Sequence, residues 1–185
     1  MKKLVLFLPV GVVIALVAAT EYVQGRLLIC KCGYVKLWEG VVNSPNNSQH
    51  IADWYSLSHI IHGFIFFGAT WLLVRNWTLA NRLIAATIVE GAWELLENSS
   101  LIINRYREGT ISLDYFGDSI VNSTSDIAFM IIGFVLASKL PWKITLAAAI
   151  TMELLALYVI RDNLTLNIFM LLYPVRAIKT WQASA

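Results

Sequence analysis

The sequence is poor in charged residues. Only 14% of its 185 residues are Asp, Glu, Lys or Arg, whereas soluble domains average about 25%. Because 58% are hydrophobic and the mean hydropathy is +0.65, too few polar side chains remain to cover a soluble globule. This composition excludes a disordered chain and a cytoplasmic enzyme. It predicts an all-α, polytopic membrane bundle that forms one domain over residues 1–185.

Other features are also scarce. Two cysteines are too few for a disulfide-rich secreted module. The chain has no internal repeat, which excludes a fibrous protein and disfavours a transporter built from alternating halves. A net charge of +2 is too small to indicate a nucleic-acid partner.

Apolar runs predict five or six transmembrane helices. A membrane-spanning helix needs about 20 mostly apolar residues, and five segments meet this need: 4–20, 55–74, 83–103, 119–140 and 142–160. A last run, 164–175, is too short to span comfortably, so it is a tilted span, a re-entrant segment or an interfacial helix. Asn163 precedes this run and is predicted to cap it.

Lys and Arg predict the orientation of these spans. Short cytoplasmic loops carry an excess of basic residues. Placing the N-terminus in the cytoplasm gives the inner side Lys2, Lys3, Arg75, Arg82, Lys139 and Lys143, and the outer side Arg26, Lys31, Lys36, Arg105 and Arg107. The excess favours a cytoplasmic N-terminus.

Ionisable residues gather near the outer ends of three predicted spans. They are His59 and His62 in the second, Glu90, Glu94 and Glu97 in the third, and Asp118, Asn122 and Asp126 in the fourth. Each group has helical spacing and therefore shares one helix face. A carboxylate near mid-membrane costs roughly 2.5–3.5 kcal/mol on an insertion scale, so such residues face a bundle interior and usually mark a functional site.

The residue types suggest two kinds of chemistry. Imidazoles and carboxylates bind divalent metals such as zinc, and the predicted ligands are His59, His62, Glu94 and Asp118. Without a metal, Glu94 and Asp118 would form an acid–base pair, with His59 as their proton partner. The sequence contains no HExxH or ExxH motif that would decide between these alternatives.

Basic residues after the third span offer a binding site for an anion. Arg105 and Arg107 would hold a phosphate or carboxylate headgroup, with Asn122 as a further substrate-binding residue. Alternatively, the two arginines extend from the bilayer to its polar interface.

Cys30 and Cys32 lie in the loop after the first span. In an oxidising compartment, this CxC pair would form a disulfide, help to bind a metal, or remain as two free thiols. The sequence leaves these three alternatives open.

Three stretches carry a resemblance to a known family. They are VKLWEGVVNSPNNSQHIADWYSLSHIIHG, EGAWELLENSSLIINRYREGTISLDYFGDSIVNSTSDI and IRDNLTLNIFMLLYP. They resemble an uncharacterised family of multi-pass inner-membrane proteins, found mostly in alpha-proteobacteria. The resemblance implies a place in the cell inner membrane and no known activity.

A weaker resemblance is to the VanZ-like membrane proteins. These proteins have a His early in a span, an acidic residue with a nearby amide, an Arg, and an Asp four residues before an Asn. In this sequence the His would be His59 or His62, and the acidic residue and amide would be Glu94 and Asn98. The Arg would be Arg105 or Arg107, and the last pair would be Asp118 and Asn122. The sequence departs from this pattern after Asn122, where it has Thr124 and Ser125 near the position of an expected Gly. This resemblance implies a role in the cell envelope and no particular reaction.

Two classes of function follow from these features. One is a membrane-embedded enzyme that acts on a lipid or lipid-linked substrate at the outer leaflet. The other is a non-enzymatic envelope protein in which the same cluster is a packing or proton-relay network. Both predict membrane lipid as a partner.

Overall fold

The protein folds as an all-helical bundle, as its composition predicts. A computed structural model describes residues 4–183, with side chains from residue 8 onward; Lys2 and Lys3, used to predict the orientation, lie outside the described residues. The described part contains eight helices and no strand. They are α1 (Leu4–Val23), α2 (Ser56–Leu73), α3 (Leu79–Glu97), α4 (Ser100–Gly109), α5 (Ile120–Lys139), α6 (Trp142–Ile160), α7 (Leu164–Leu172) and α8 (Arg176–Ala183).

Three helices, α2, α5 and α6, are long and apolar enough to cross a membrane by length and composition, and α1 contributes a shorter apolar segment, Leu8–Val23. Helix α3 has 19 residues, but Arg82 and three glutamates make it too polar to meet the same criterion. It is covered by α1, α2 and α5, and Glu90 and Glu94 are fully buried. Its acids therefore face protein.

The third predicted span, 83–103, is not one helix. Helix α3 ends at Glu97, where the amide of Asn98 donates to the carbonyl of Glu94, and α4 begins after Ser99. The Ser99 side chain accepts from the amide of Ile102 and so caps α4. Apolar residues continue past this point, but the serine cap favours a new helix start.

Two glycines bring α2 and α5 into close contact. A Cβ built on Gly63 would lie 2.1 Å from the carbonyl oxygen of Met130, and one on Gly133 would lie 2.1 Å from that of Ile60. Small residues let membrane helices approach at backbone distance. This approach aligns the His-bearing face of α2 with the polar N-terminal half of α5, which carries Asp126.

The connection between α1 and α2 folds over the N-terminus of α5. The carbonyls of Leu27 and Ser48 accept from the amides of Ile120 (2.8 Å) and Ser119 (3.0 Å). Within this connection Cys30 and Cys32 form a disulfide, which is the first of the three alternatives. These bonds use donors at the start of α5 that have no partner within the helix.

Helix α7 is too short to span a membrane, as expected for the run 164–175. Its nine residues cover about 14 Å at 1.5 Å per residue. The Asn163 side chain accepts from the amide of Leu166 at 2.8 Å, which confirms the predicted cap. Helix α7 packs against α4 and forms one side of the cavity described below.

Candidate functional site

A cavity of about 440 Å³ lies between α2, α3, α4, α5 and α7 and the connections that join them near the start of α2 and the end of α3. Its wall has a polar part and an apolar part. The polar part includes Asn47, Ser48, Asp53, Tyr55, Ser58, His59, His62, Glu90, Glu97, Tyr106, Ser112, Tyr115, Asp118, Asn122, Asp126 and Asn167. The apolar part is Ile65, Phe66, Val89, Trp93, Leu164, Ile168, Leu171 and Leu172.

Two imidazoles of α2 meet one carboxylate of α3 at the cavity wall. Nδ1 of His59 lies 2.6 Å from Oε1 of Glu90, and Nδ1 of His62 lies 3.1 Å from Oε2 of the same residue. His59 and His62 are one turn apart, so both face α3. Glu90 is fully buried, and its carboxyl group contacts both imidazoles.

His59 has two further acidic neighbours. Its Nε2 lies 3.8 Å from Oδ2 of Asp126, and its Nδ1 lies 3.6 Å from Oε1 of Glu94. Glu90 and Glu94 belong to α3, whereas Asp126 belongs to α5. His59 therefore stands at the junction of three helices.

Behind His59 lies a sealed group of two carboxyls and one hydroxyl. The hydroxyl oxygen of Ser123 is 2.6 Å from Oε1 of Glu21 and 2.6 Å from Oε2 of Glu94. All three residues are fully buried, and none of them lines the cavity. A hydroxyl can donate only one hydrogen bond, so one of the two carboxyls must itself be protonated and donate to the serine oxygen.

Asp118, two residues before α5, is held at the cavity wall by an asparagine and a tyrosine. Nδ2 of Asn98 donates to Oδ2 of Asp118 at 2.9 Å, and the Asp118 amide donates back to Oδ1 of Asn98 at 2.7 Å. The hydroxyl of Tyr115 donates to Oδ1 of Asp118 at 3.0 Å. Burial disfavours the charged form and raises the pKa of Asp118 from 3.8 to about 6.

The structure brings together most of the residues that the sequence analysis selected. His59, His62 and Asp118 line the cavity, and Glu94 lies directly behind His59. One oxygen from each of Glu94, Glu97 and Asp118 falls within 4.8 Å of the others. The acid that joins the two histidines, however, is Glu90 and not Glu94.

Arg105 and Arg107 do not line this cavity. Arg105 donates to the carbonyls of Leu171 (2.7 Å) and Leu172 (3.1 Å), and Arg107 donates to that of Tyr115 (2.6 Å). The guanidinium group of Arg105 therefore connects α4 to the end of α7, and that of Arg107 connects α4 to the loop between α4 and α5. No Lys or Arg side chain lines the cavity within the described part of the chain.

Asn122 does line the cavity, and its side chain also supports the fold. Its Nδ2 donates to the carbonyl of His50 at 2.9 Å. This bond helps to hold the α1–α2 connection over the start of α5.

Several groups in the cluster could hold a metal ion. Sets with ligand atoms within 4.8 Å of one another are His59–His62–Glu90, His59–Glu94–Asp126 and Glu94–Glu97–Asp118. The first set contains both imidazoles, and all three of its residues line the cavity. Each of the other two sets includes Glu94, which does not line the cavity. Cys30, Cys32 and His50 also lie close together, but the disulfide removes the thiolates that metal binding requires.

Glu21 and Ser123 were missed by sequence reasoning. Glu21 stands alone after the first apolar run, where it resembles the start of a loop, and serine is common in membrane helices. The only available signal was that Ser123 lies next to Asn122 in the polar first half of the fourth predicted span.

The fold and the cluster together define a helical protein with membrane-type spans and an acidic cavity inside its bundle. The family model described as "Protein of unknown function (DUF2585)" matches residues 21–184, a range that contains every residue of the cavity. The chain belongs to this family.

Curated relatives share most of the chain. A UPF0314 protein of Sinorhizobium fredii is 59% identical over 171 residues, covering 92% of this chain and 87% of the relative. A UPF0314 protein of Sphingopyxis alaskensis is 53% identical over 177 residues, covering 96% and 94%. These matches confirm the resemblance to an uncharacterised alphaproteobacterial family and do not show the likeness to VanZ-like proteins. No solved structure matches the chain.

Proposed function

We propose that the protein is a multi-pass inner-membrane enzyme that uses a divalent metal ion to act on the headgroup of a lipid or lipid-linked substrate. The observation that carries this proposal is the convergence of His59, His62 and Glu90 on the wall of a cavity whose other lining residues include both acids and aliphatic side chains.

The donor set suits a metal such as zinc. Catalytic zinc sites have three protein ligands from His and Asp or Glu and keep a further position open to water or substrate. Here the two imidazoles and Glu90 would be the protein ligands, and the cavity adjoins all three. A bound cation would also offset the cost of burying Glu90 and its acidic neighbours. Such an ion supplies Lewis acidity and a water of lowered pKa.

The same cavity favours recognition of a phosphate through a metal. Arg and Lys are the usual protein ligands of phosphate, but Arg105 and Arg107 bind backbone carbonyls outside the cavity. An anionic headgroup near five acidic side chains would be repelled unless a cation lay between them. A metal at the His59–His62–Glu90 set would be that cation.

Asp118 and Glu94 would have different roles in such a site. Asp118 lines the cavity, and its pKa of about 6 suits a group that exchanges protons with substrate near neutral pH. Glu94 does not reach the cavity but lies 3.6 Å from His59. It would act by orienting the imidazole.

The disulfide supports the proposed orientation. Disulfides persist in oxidising compartments such as the bacterial periplasm, and Cys30–Cys32 lies in the α1–α2 connection. Placing this connection in the periplasm puts the start of α1 in the cytoplasm, as the Lys and Arg distribution predicts. The cavity then lies near the periplasmic face, because the same connection folds over the start of α5 beside it.

Metal analysis of the purified protein tests the proposal. We expect about one equivalent of zinc or another divalent metal per chain, lost in His62→Ala and Glu90→Gln and retained in Glu108→Gln, which alters an exposed glutamate of α4. The isosteric Glu90→Gln keeps the side-chain volume. Equal metal content in all four proteins, or none in any, would contradict a metal centre at this site.

A second candidate function is supported by the Glu21–Ser123–Glu94 group. Because this group is sealed and holds at least one proton, it resembles a packing or proton-relay network more than a substrate site. If the protein is a non-enzymatic envelope protein, the His59→Ala and Glu94→Gln variants should each restore wild-type growth to a strain that lacks the native protein. This comparison requires that both variants accumulate normally in the membrane. Loss of complementation by these variants would favour the enzyme.

A further inference from the structure

Four aliphatic side chains both line the cavity and lie on the outer surface of the bundle. Ile65 of α2 is 52% exposed, Val89 of α3 is 53% exposed, and Ile168 and Leu172 of α7 are 44% and 74% exposed. A residue that belongs to both surfaces marks the place where the cavity meets the outside. We call these four residues the portal.

Two of the portal residues, Ile65 and Val89, lie well inside their helices. Ile65 lies nine residues after Ser56, the first residue of α2, which is about 14 Å along the helix. Val89 lies eight residues before Glu97, the last residue of α3, or about 12 Å. The hydrocarbon core is about 30 Å thick, so a portal at this depth opens to lipid tails and not to water.

The polarity of the cavity changes in the direction expected for a lipid of the outer leaflet. Side chains from the connections next to these helix ends, such as Asn47, Ser112 and Tyr115, are polar. Deeper along α2 and α3, the wall contains Ile65 and Val89 beside the metal-binding set. A lipid in that leaflet has its headgroup outward and its chains toward the bilayer centre. The cavity and such a lipid are therefore oriented alike.

The volume of the cavity limits what enters it. Ligand pockets hold about 300–1,000 Å³, and 440 Å³ is at the small end of this range. A phosphorylated headgroup fits in such a space, but long hydrocarbon chains do not. The chains must remain outside, in contact with the aliphatic residues of the portal.

We propose that a phosphate-bearing lipid of the outer leaflet reaches the cavity sideways from the bilayer, through the portal, with its headgroup inside and its chains in the membrane. The phosphate specificity rests on the proposed metal centre, because the described cavity wall has no Lys or Arg. The lateral route rests only on the portal and does not require the metal.

Photolabelling in vesicles tests both parts. The purified protein is reconstituted into phosphatidylglycerol vesicles that contain a little of a phosphatidic acid ester whose small headgroup alcohol carries a diazirine. After irradiation, peptide mass spectrometry locates the adducts. We expect adducts on Trp93 and Leu171, which line the cavity, to exceed those on Met130 and Phe134, which are buried in the core, by about tenfold.

Variants of the portal separate lateral access from other routes. Ile65→Trp combined with Val89→Trp narrows the portal from α2 and α3, and Leu172→Trp narrows it from α7. Each should lower labelling of Trp93 and Leu171 about tenfold without changing metal content. Ile150→Trp is the control, since Ile150 of α6 is 51% exposed and does not line the cavity. The two portal variants alter different helices. If one of them misfolds, the other still tests lateral access.

Labelling that does not exceed the core level, or that is unchanged in both portal variants, would overturn lateral access. Removing metal with EDTA, or replacing the probe with a diacylglycerol that carries the same diazirine alcohol through an ether bond and has no phosphate, should abolish the labelling. If labelling depends on the portal but not on metal or phosphate, lateral access stands and the phosphate specificity is wrong. Absence of bound metal together with portal-dependent labelling would refute the proposed function alone.

Discussion

Three fully buried glutamates, Glu21, Glu90 and Glu94, fall into two groups with opposite surroundings. Glu90 meets two imidazoles at the wall of a cavity, whereas Glu21 and Glu94 meet one hydroxyl, that of Ser123, in a sealed interior. The residue type is the same in both groups. The comparison shows that the neighbours of a buried carboxyl, and its access to a cavity, decide whether it can bind a ligand or only complete the packing.

The contact between α2 and α5 supports both groups, so separating these helices should have the largest effect. In Gly133→Val the new side chain would collide with the backbone of Ile60, and we expect a loss of about 3 kcal/mol of unfolding free energy. Gly68→Ala is the matched control, because a Cβ at Gly68 meets no atom within 4 Å. Thermal unfolding in detergent measures both. Equal melting temperatures would show that the close approach is not needed.

Metal binding should distinguish the open group from the rest of the cluster. Zinc at 100 times its dissociation constant should stabilise the wild type by about 2.7 kcal/mol. Glu90→Gln should lose this stabilisation, and Glu97→Gln, which alters another cavity-lining acid of α3 that contacts neither histidine, should keep most of it. The measurement is the shift of the unfolding transition on adding zinc. A shift lost only in Glu97→Gln would move the metal to the Glu94–Glu97–Asp118 set.

Removing the shared hydroxyl should disrupt the sealed group without affecting metal. Ser123→Ala leaves two buried carboxyls without their common partner, and an unsatisfied buried polar group costs about 1–3 kcal/mol. We expect a loss of about 2 kcal/mol, with unchanged zinc content. Ser125→Ala is the control, since that hydroxyl bonds only to the carbonyl of Val121 in its own helix. A wild-type melting temperature for Ser123→Ala would mean that the group does not contribute to stability.

The pH dependence of stability should sharpen the comparison at Asp118. Burial raises its pKa from 3.8 in the unfolded chain to about 6 in the fold, so the folded state binds this proton more tightly. Its contribution to stability is therefore fully present below pH 3.8, is lost as the pH rises through about 6, and is constant above that.

The slope from this one proton is at most about 1.4 kcal/mol per pH unit. Asp118→Asn should flatten the stability profile between pH 4 and 6, while Asp114→Asn, at an exposed loop position, should keep it. Chemical unfolding at several pH values measures the slopes. Identical slopes in all three proteins would show that Asp118 does not titrate with a raised pKa.

Much of the site could be predicted because helical spacing and the cost of buried charge are properties of the sequence. His59 and His62 are one turn apart, and Glu90 and Glu94 are also one turn apart, so each pair had to share a face. Exposing these ionisable residues to lipid would cost too much free energy. They therefore had to meet inside a bundle of helices. The same reasoning selected Asp118, which lines the cavity.

Other parts could not be predicted because they depend on which helix faces which. Choosing Glu90 over Glu94 as the partner of both imidazoles depends on the rotation of α3 against α2. The partners of Arg105 are carbonyls at the end of α7, more than sixty residues away in the chain. The helix break at Asn98 and Ser99 was hidden because the apolar pattern continues through it, while a local cap determined the new helix start.

The sequence by itself determined the class of the protein: an apolar helical bundle that must enclose its few acids and imidazoles, since lipid solvates charge so poorly. Only the tertiary structure decided which carboxyl faces the cavity and which is sealed. Small differences in helix rotation and a close approach at Gly63 and Gly133 set those choices, and no one-dimensional pattern records them.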